Sequence, residues 1–193
     1  MMSLFGKNVL NLPVLMVFWI LCVPTVVSAS DVKPFFIGGF AFGGDTLVAT
    51  SERNLTSGGL LYFGGGVLIE PENSQLMYQL SMGYKFDTID FEGPAGDASV
   101  SVVPLDALVF YKQGKLRFGV GLAYYLNPKS ELCFDGGGCS NFDYDDAMGA
   151  VMELRMQVKK DVFFGMRYTN VDYEIRSASI DASSVRLHGG VSF

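Results

Sequence analysis

Residues 116–126 read Leu116-Arg117-Phe118-Gly119-Val120-Gly121-Leu122-Ala123-Tyr124-Tyr125-Leu126. The even positions are bulky and apolar, whereas the odd positions carry arginine, glycine, alanine or tyrosine. A period of two belongs to the β-strand, whose successive side chains point to opposite faces. One face of this strand is greasy and the other is small or charged.

The same alternation recurs along the chain. Leu76, Tyr78, Leu80, Met82, Tyr84 and Phe86 oppose Gln75, Met77, Gln79, Ser81, Gly83 and Lys85. Met148, Ala150, Met152, Leu154, Met156 and Val158 oppose Gly149, Val151, Glu153, Arg155 and Gln157. Val162, Phe164, Met166 and Tyr168 alternate with Phe163, Gly165, Arg167 and Thr169. At the end, Val185, Leu187, Gly189, Val191 and Phe193 oppose Ser184, Arg186, His188, Gly190 and Ser192. Three further strands are expected over 34–42, 59–69 and 99–111, the last with Pro104 and Asp106 on its small-residue face. Pro104 cannot donate to a sheet ladder, so a bulge or irregular pairing is expected beside it.

Short connections (70–74, 112–115, 159–161) alternate with long ones (43–57, 87–98, 127–146 and roughly 172–182). Short turns at one end and long loops at the other describe an up-and-down meander. The expected fold is all-β: a closed antiparallel barrel of about eight strands, with no helix and no second domain.

Such a barrel has two orientations, and three features place the greasy face in lipid. Glycines and alanine on the opposite face (Gly83, Gly119, Gly121, Ala123, Gly149, Gly165, Gly190) suit a narrow, crowded interior. The charges on that face, Lys85, Asp106, Arg117, Glu153, Arg155, Arg167 and Arg186, have both signs; buried charges persist when paired, so an interior ion network including His188 is expected. Aromatics on the greasy face fall near strand ends (Phe36, Tyr78, Tyr84, Phe86, Tyr111, Tyr124, Tyr168, Phe193), where a girdle at the lipid headgroups places them. Pairing of the last strand with the first would leave no edge, as closure in lipid requires.

With its terminal phenylalanine, the alternation Val185, Leu187, Val191, Phe193 resembles the signal that outer-membrane proteins present to the barrel-assembly machinery. The Arg117–Tyr125 strand, and Gly165 to Tyr168 before a loop and a final strand, resemble the small eight-stranded opacity, OmpX and OmpW families. That resemblance of pattern implies a bacterial outer-membrane location and contact with outer-membrane lipid and lipopolysaccharide.

Residues 1–29 differ from the rest: Lys7, then an apolar run interrupted by Pro13 and Pro24, then Ser28 and Ala29. This reads as a cleaved signal peptide, leaving 30–193 as the barrel domain. Cys22 lies inside the apolar run without the small residue a lipoprotein acceptor needs before it. The remaining 193 − 29 = 164 residues carry 13 cations and 20 acids, because Lys7 leaves with the signal, a balance of −7 that argues against nucleic acid. Mean hydropathy is +0.29, yet beyond residue 29 no apolar run approaches the ~20 residues of a spanning helix. Cys133 and Cys139 suit a local disulfide in an oxidising compartment, with no third cysteine or histidine nearby to complete a metal site.

Catalytic chemistry finds little support. Barrel enzymes that modify lipid A need a nucleophile and base reaching an acyl chain. The single histidine, His188, is on the inward face, and Ser184 stands about 13 Å along the strand. A structural role is expected for His188. The acids Asp143, Asp145 and Asp146, and Asp87, Asp90, Glu92 and Asp97, match no calcium-loop spacing and read as solvated loop carboxylates. Asn54-Leu55-Thr56 is a formal glycosylation acceptor of little weight in a bacterial envelope. With neither catalytic set nor cofactor motif, the expectation is a non-enzymatic envelope barrel with long outer loops and an unidentified external ligand. A narrow channel for small or hydrophobic solutes is the alternative, and a lipid A-modifying enzyme comes third.

Overall fold

The computed structural model describes residues 31–49, 54–92, 95–134, 136–175 and 178–193; the signal segment expected over 1–29 lies outside them. The described strands are β1 (Asp31–Phe42), β2 (Thr46–Ala49), β3 (Asn54–Thr56), β4 (Leu61–Glu70), β5 (Leu76–Glu92), β6 (Ala95–Gln113), β7 (Leu116–Phe134), β8 (Gly138–Asp143), β9 (Ala147–Lys159), β10 (Val162–Asn170), β11 (Asp172–Ile175), β12 (Ala178–Asp181) and β13 (Ser184–Ser192). Eight of them form the wall in the order β6-β5-β4-β1-β13-β10-β9-β7, and β6 pairs with β7 to close it. Every wall pair is antiparallel.

Closure joins the first and last strands. β1 pairs with β13 from Phe35↔Ser192 to Phe42↔Val185, and the Phe193 amide donates to the Pro34 carbonyl at 2.9 Å. The start of β1, the end of β13 and the three short turns therefore share one rim. At the other rim, β2–β3 and β11–β12 form small hairpins, while β8 continues the pairing of β9 along β7, from Tyr125↔Ala147 below to Lys129↔Asp143 above.

Along the wall the greasy face points outward. Leu80, Met82, Val120, Met152, Phe164 and Leu187 are 43–61% exposed, whereas Gln79, Ser81, Lys85, Glu153, Arg155, Arg167 and Arg186 are at most 7% exposed. So much contiguous apolar surface has hydrocarbon as its solvent, and the chain is a transmembrane barrel. On β5 the apolar band runs from Leu76 to Phe86, ten steps or about 34 Å along the strand, which at a ~40° tilt spans about 26 Å of bilayer.

Above that band the polarity of the two faces exchanges. On β5 the outward residues become Thr88 and Asp90, while Ile89 is buried; on β6 the outward residues become Ser101, Ser99 and Asp97, while Val102, Val100 and Ala98 are buried. There the sheet has water outside and its own small core within. Leu55, Ile89, Ala98 and Val100 form that core, with Leu47, Val48 and Leu132 packed against it, so the β2–β3 hairpin covers the inner face of the projecting sheet.

One expectation is corrected. The segments 87–98 and 127–146 are not irregular loops: β5 continues to Glu92, β6 starts at Ala95, and β7 and β8 pair to the Phe134↔Gly138 step. An apolar-outward pattern ends at the bilayer surface, and pairing continues beyond it with the opposite pattern. The irregular pairing expected beside Pro104 is present: the ladder lacks bridges between Met82↔Leu105 and Lys85↔Val102 but keeps its register. The bulge lies on the other side of β6, where the pairing passes from Ser101↔Lys129 to Val103↔Leu126 and one residue faces both Asn127 and Pro128. Asn127 takes φ 53° there, and its amide donates to Asp146 Oδ1 at 2.8 Å.

Candidate functional site

Inside the lumen, strands from around the wall aim charged groups at one another. Arg167 on β10 donates Nη1 and Nη2 to the two oxygens of Asp106 on β6, at 2.8 and 2.7 Å. Ser81 on β5 donates to the same carboxylate at 3.2 Å and receives Gln79 Nε2 at 3.0 Å. Arg155 binds Glu153 two residues away through Nε at 3.1 Å, and its Nη2 reaches Gln79 Oε1 at 2.8 Å. Its guanidinium also lies between two rings, 4.1 Å from Phe163 and 4.6 Å from Phe110. Glycine makes room for such rings: a Cβ on Gly119 would stand 2.4 Å from the Phe110 ring.

His188 joins this lower cluster, with Nε2 3.2 Å from Glu153 Oε1. Its face is the lumen and not the lipid, and the Ser184 hydroxyl accepts Lys85 Nζ at 3.0 Å. Nothing in this arrangement aligns a serine and a histidine on an acyl chain. Arg186 stacks on Tyr62 at 3.6 Å.

Arg117 is not brought into the cluster. It lies near the short turn after β6, where its Nη1 donates to the Gly114 and Leu116 carbonyls at 2.7 and 3.1 Å. Parity places it inward, but three residues from a turn a long side chain folds back to cap orphan carbonyls at the rim. At the same rim Lys33 lies 2.9 Å from Asp31 and 3.8 Å from Glu70. Val185, Leu187, Val191 and Phe193 all point outward, 38–68% exposed.

The outer mouth is built from aromatic and acidic groups. Tyr125, Tyr144 and Tyr173 meet edge to face or tilted, with ring centroids 5.9 and 6.1 Å apart, so the β11–β12 hairpin lies over the lumen. Asp181 fastens that hairpin to the first loop: its carbonyl accepts the Asp45 amide at 2.7 Å, and its own amide donates to Asp45 Oδ2 at 2.9 Å. The Ser183 hydroxyl and amide on the Asp181 carboxylate hold its pKa below the usual value. The expected loop acids serve local ends, with Asp143 3.3 Å from Lys129 and Asp146 accepting Tyr124 Oη at 3.1 Å. Asn54 lies on β3, next to the buried Leu55.

Beyond the lipid band the β5–β8 sheet projects about 20 Å by strand length, and its β7–β8 tip is closed by the Cys133–Cys139 disulfide. All six residues of β8 are exposed. Sequence reading missed this projection because Thr88, Asp90, Asp97 and Ser99 look like loop residues. The available signal was the short inward series Ile89, Ala98, Val100 and Val102.

No family model matches the sequence, and no curated protein matches it. Solved structures do match the fold. Ail, the attachment invasion locus protein of Yersinia pestis, in complex with the heparin analogue sucrose octasulfate, aligns with TM-score 0.52 at 11% identity over 85% of this chain and 97% of that one. A major outer membrane protein from Thermus thermophilus gives TM-score 0.51 at 12% identity, covering 86% and 100% of the two chains. Neisserial surface protein A gives 0.50 at 10% identity, covering 86% and 99%.

Proposed function

We propose that this chain, a small eight-stranded outer-membrane β-barrel by fold, is a non-enzymatic protein of the bacterial outer membrane whose projecting sheet makes contacts outside the cell. The observation that carries this reading is the β5–β8 sheet itself. It stands in water beyond the lipid band, has its own hydrophobic core, and continues the strands of the wall without a break. A barrel needing only to cross the bilayer would end its strands near Phe86.

The surface chemistry narrows the partner. Among the described residues beyond the band, the exposed acids Asp45, Asp90, Asp97, Glu131, Asp143, Asp145, Asp146, Asp172, Glu174 and Asp181 face one exposed cation, Lys129. An acidic surface repels sulfated polyanions and favours neutral or basic surfaces, so the heparin-analogue chemistry named for Ail does not suit this chain. Lipopolysaccharide and lipid at the girdle, and the assembly machinery acting on the outward Val185, Leu187, Val191 and Phe193, are its proposed envelope partners.

A filled lumen argues against the channel reading. Arg155, Arg167, Phe35, Phe110, Phe163 and Gln79 occupy it, each with at most 2% exposure.

Replacement of residues 131–141 by a two-residue Asn-Gly turn tests the proposal. Cells displaying this variant should insert a folded, heat-modifiable barrel yet lose attachment to protein-coated surfaces and to one another, and planar bilayers containing the full protein should show no conductance steps. Attachment unchanged by the trimming contradicts the proposal, and regular single-channel steps would favour the channel.

A further inference from the structure

We propose that the guanidinium of Arg186 is the seat of a small oxyanion, a phosphate, sulfate or carboxylate, held inside the outer half of the barrel. Its Nε and Nη2 are buried and have no hydrogen-bond acceptor, and the residue is 6% exposed. These two N–H groups lie along one edge of the guanidinium, the spacing that receives both oxygens of an oxyanion. An open edge of this kind at such depth leaves a charge uncompensated, which is costly.

The lumen acids do not supply the missing partner. Arg167 takes both oxygens of Asp106, Arg155 and His188 share Glu153 Oε1, and Glu153 Oε2, without a hydrogen bond, lies 4.0 Å from Arg167 Nη1. Asp87, two residues above Lys85, is itself engaged. Arg186 is moreover the direct cross-strand neighbour of Arg167, a like-charge pairing that an anion would relieve.

Further donors gather at the same level. Arg186 lies on the Tyr62 ring, reaching it past the small inward residues Gly39 and Ala41 of β1. The Tyr62 hydroxyl is buried without a partner. Its cross-strand neighbour is Lys85, whose ammonium contacts the neutral Ser184 hydroxyl, two residues before Arg186 on the same face. A two-toothed fork, an ammonium and a phenol fit a compact, multiply oxygenated anion. Lys85 and Arg186 are 5% and 6% exposed inside the wall, so a headgroup tethered in the bilayer does not reach them, and the anion is a free one.

Thermal unfolding of the refolded full barrel in zwitterionic detergent tests this, with sodium phosphate or sulfate titrated against sodium chloride at matched ionic strength. The expected result is a saturable rise, about 5 °C at a hundredfold excess over Kd. Arg186→Lys, which keeps the charge but loses the fork, should abolish it, and Lys85→Met should weaken apparent affinity about tenfold. Vesicles containing phosphatidylglycerol without free phosphate should give no rise. Chloride matching phosphate, anionic lipid substituting for it, or Arg186→Lys responding like the parent would each overturn the proposal. Should Arg186→Lys fail to refold, the parent titration and Lys85→Met decide.

Discussion

Arg167 on β10 gives one terminal nitrogen to each oxygen of Asp106 on β6, at 2.8 and 2.7 Å, although β9 and β7 separate those strands around the wall. The pair is a strut across the lumen, and both side chains are at most 2% exposed. With the lipid side offering only dispersion contacts, such struts give the barrel one cross-section.

Removing one member of this pair leaves the other charge buried. Asp106→Asn should destabilise the barrel by about 3–5 kcal/mol, read as a lower urea midpoint in liposomes. Arg117→Ala, at the rim with carbonyl partners alone, should cost less than about 1 kcal/mol. Equal losses would contradict the division between lumen and rim.

Much of the wall was legible because bilayer and lumen impose opposite demands on alternate residues, and Leu76–Phe86 and Leu116–Leu126 satisfy both along their whole length. The projecting strands were not, because water removes the apolar-outward demand and leaves Thr88, Asp90, Ser99 and Asp97 looking like turn material. Parity placed Lys85, Glu153, Arg155, Arg167, Arg186 and His188 on the lumen face. Which acid meets which base depends on strand tilt and side-chain reach, neither of which a period of two contains; Arg117 shares the parity and still turns away. Pro104 pointed to an irregularity in β6, yet the bulge formed on the far side, where Asn127 accepts the left-handed backbone.

Acid should loosen the β11–β12 hairpin before the wall. The Asp181 carboxylate has a folded pKa below its unfolded value, so its stabilising effect is complete above the unfolded value of about 4 and fades as pH falls through the folded one. Exchange of the Ser183 amide, 2.8 Å from Asp181 Oδ1, should quicken below about pH 4 relative to wall amides after correction for intrinsic rates, and Asp181→Asn should remove the difference. Identical pH dependence in parent and variant would refute this.

The disulfide should matter locally. Cys133 and Cys139 are already cross-strand partners and close a loop of separation 6, so reduction should release about 2 kcal/mol at most, chiefly at the tip. Hydrogen exchange should rise over 130–142 while wall unfolding moves by a few degrees; collapse of the wall on reduction would show that the tip supports the barrel.

Nitroxide labels placed singly along β6 give the most direct test of where the bilayer ends. Outward positions 105, 107, 109 and 111 should be relaxed by oxygen and shielded from aqueous nickel chelate, outward positions 97, 99 and 101 should show the reverse, and inward Val100 and Val102, at 5% and 4% exposure, should be shielded from both. Nickel access throughout 105–111, or oxygen preference persisting to 97, would contradict a bilayer surface at the level of Val103 and Phe86.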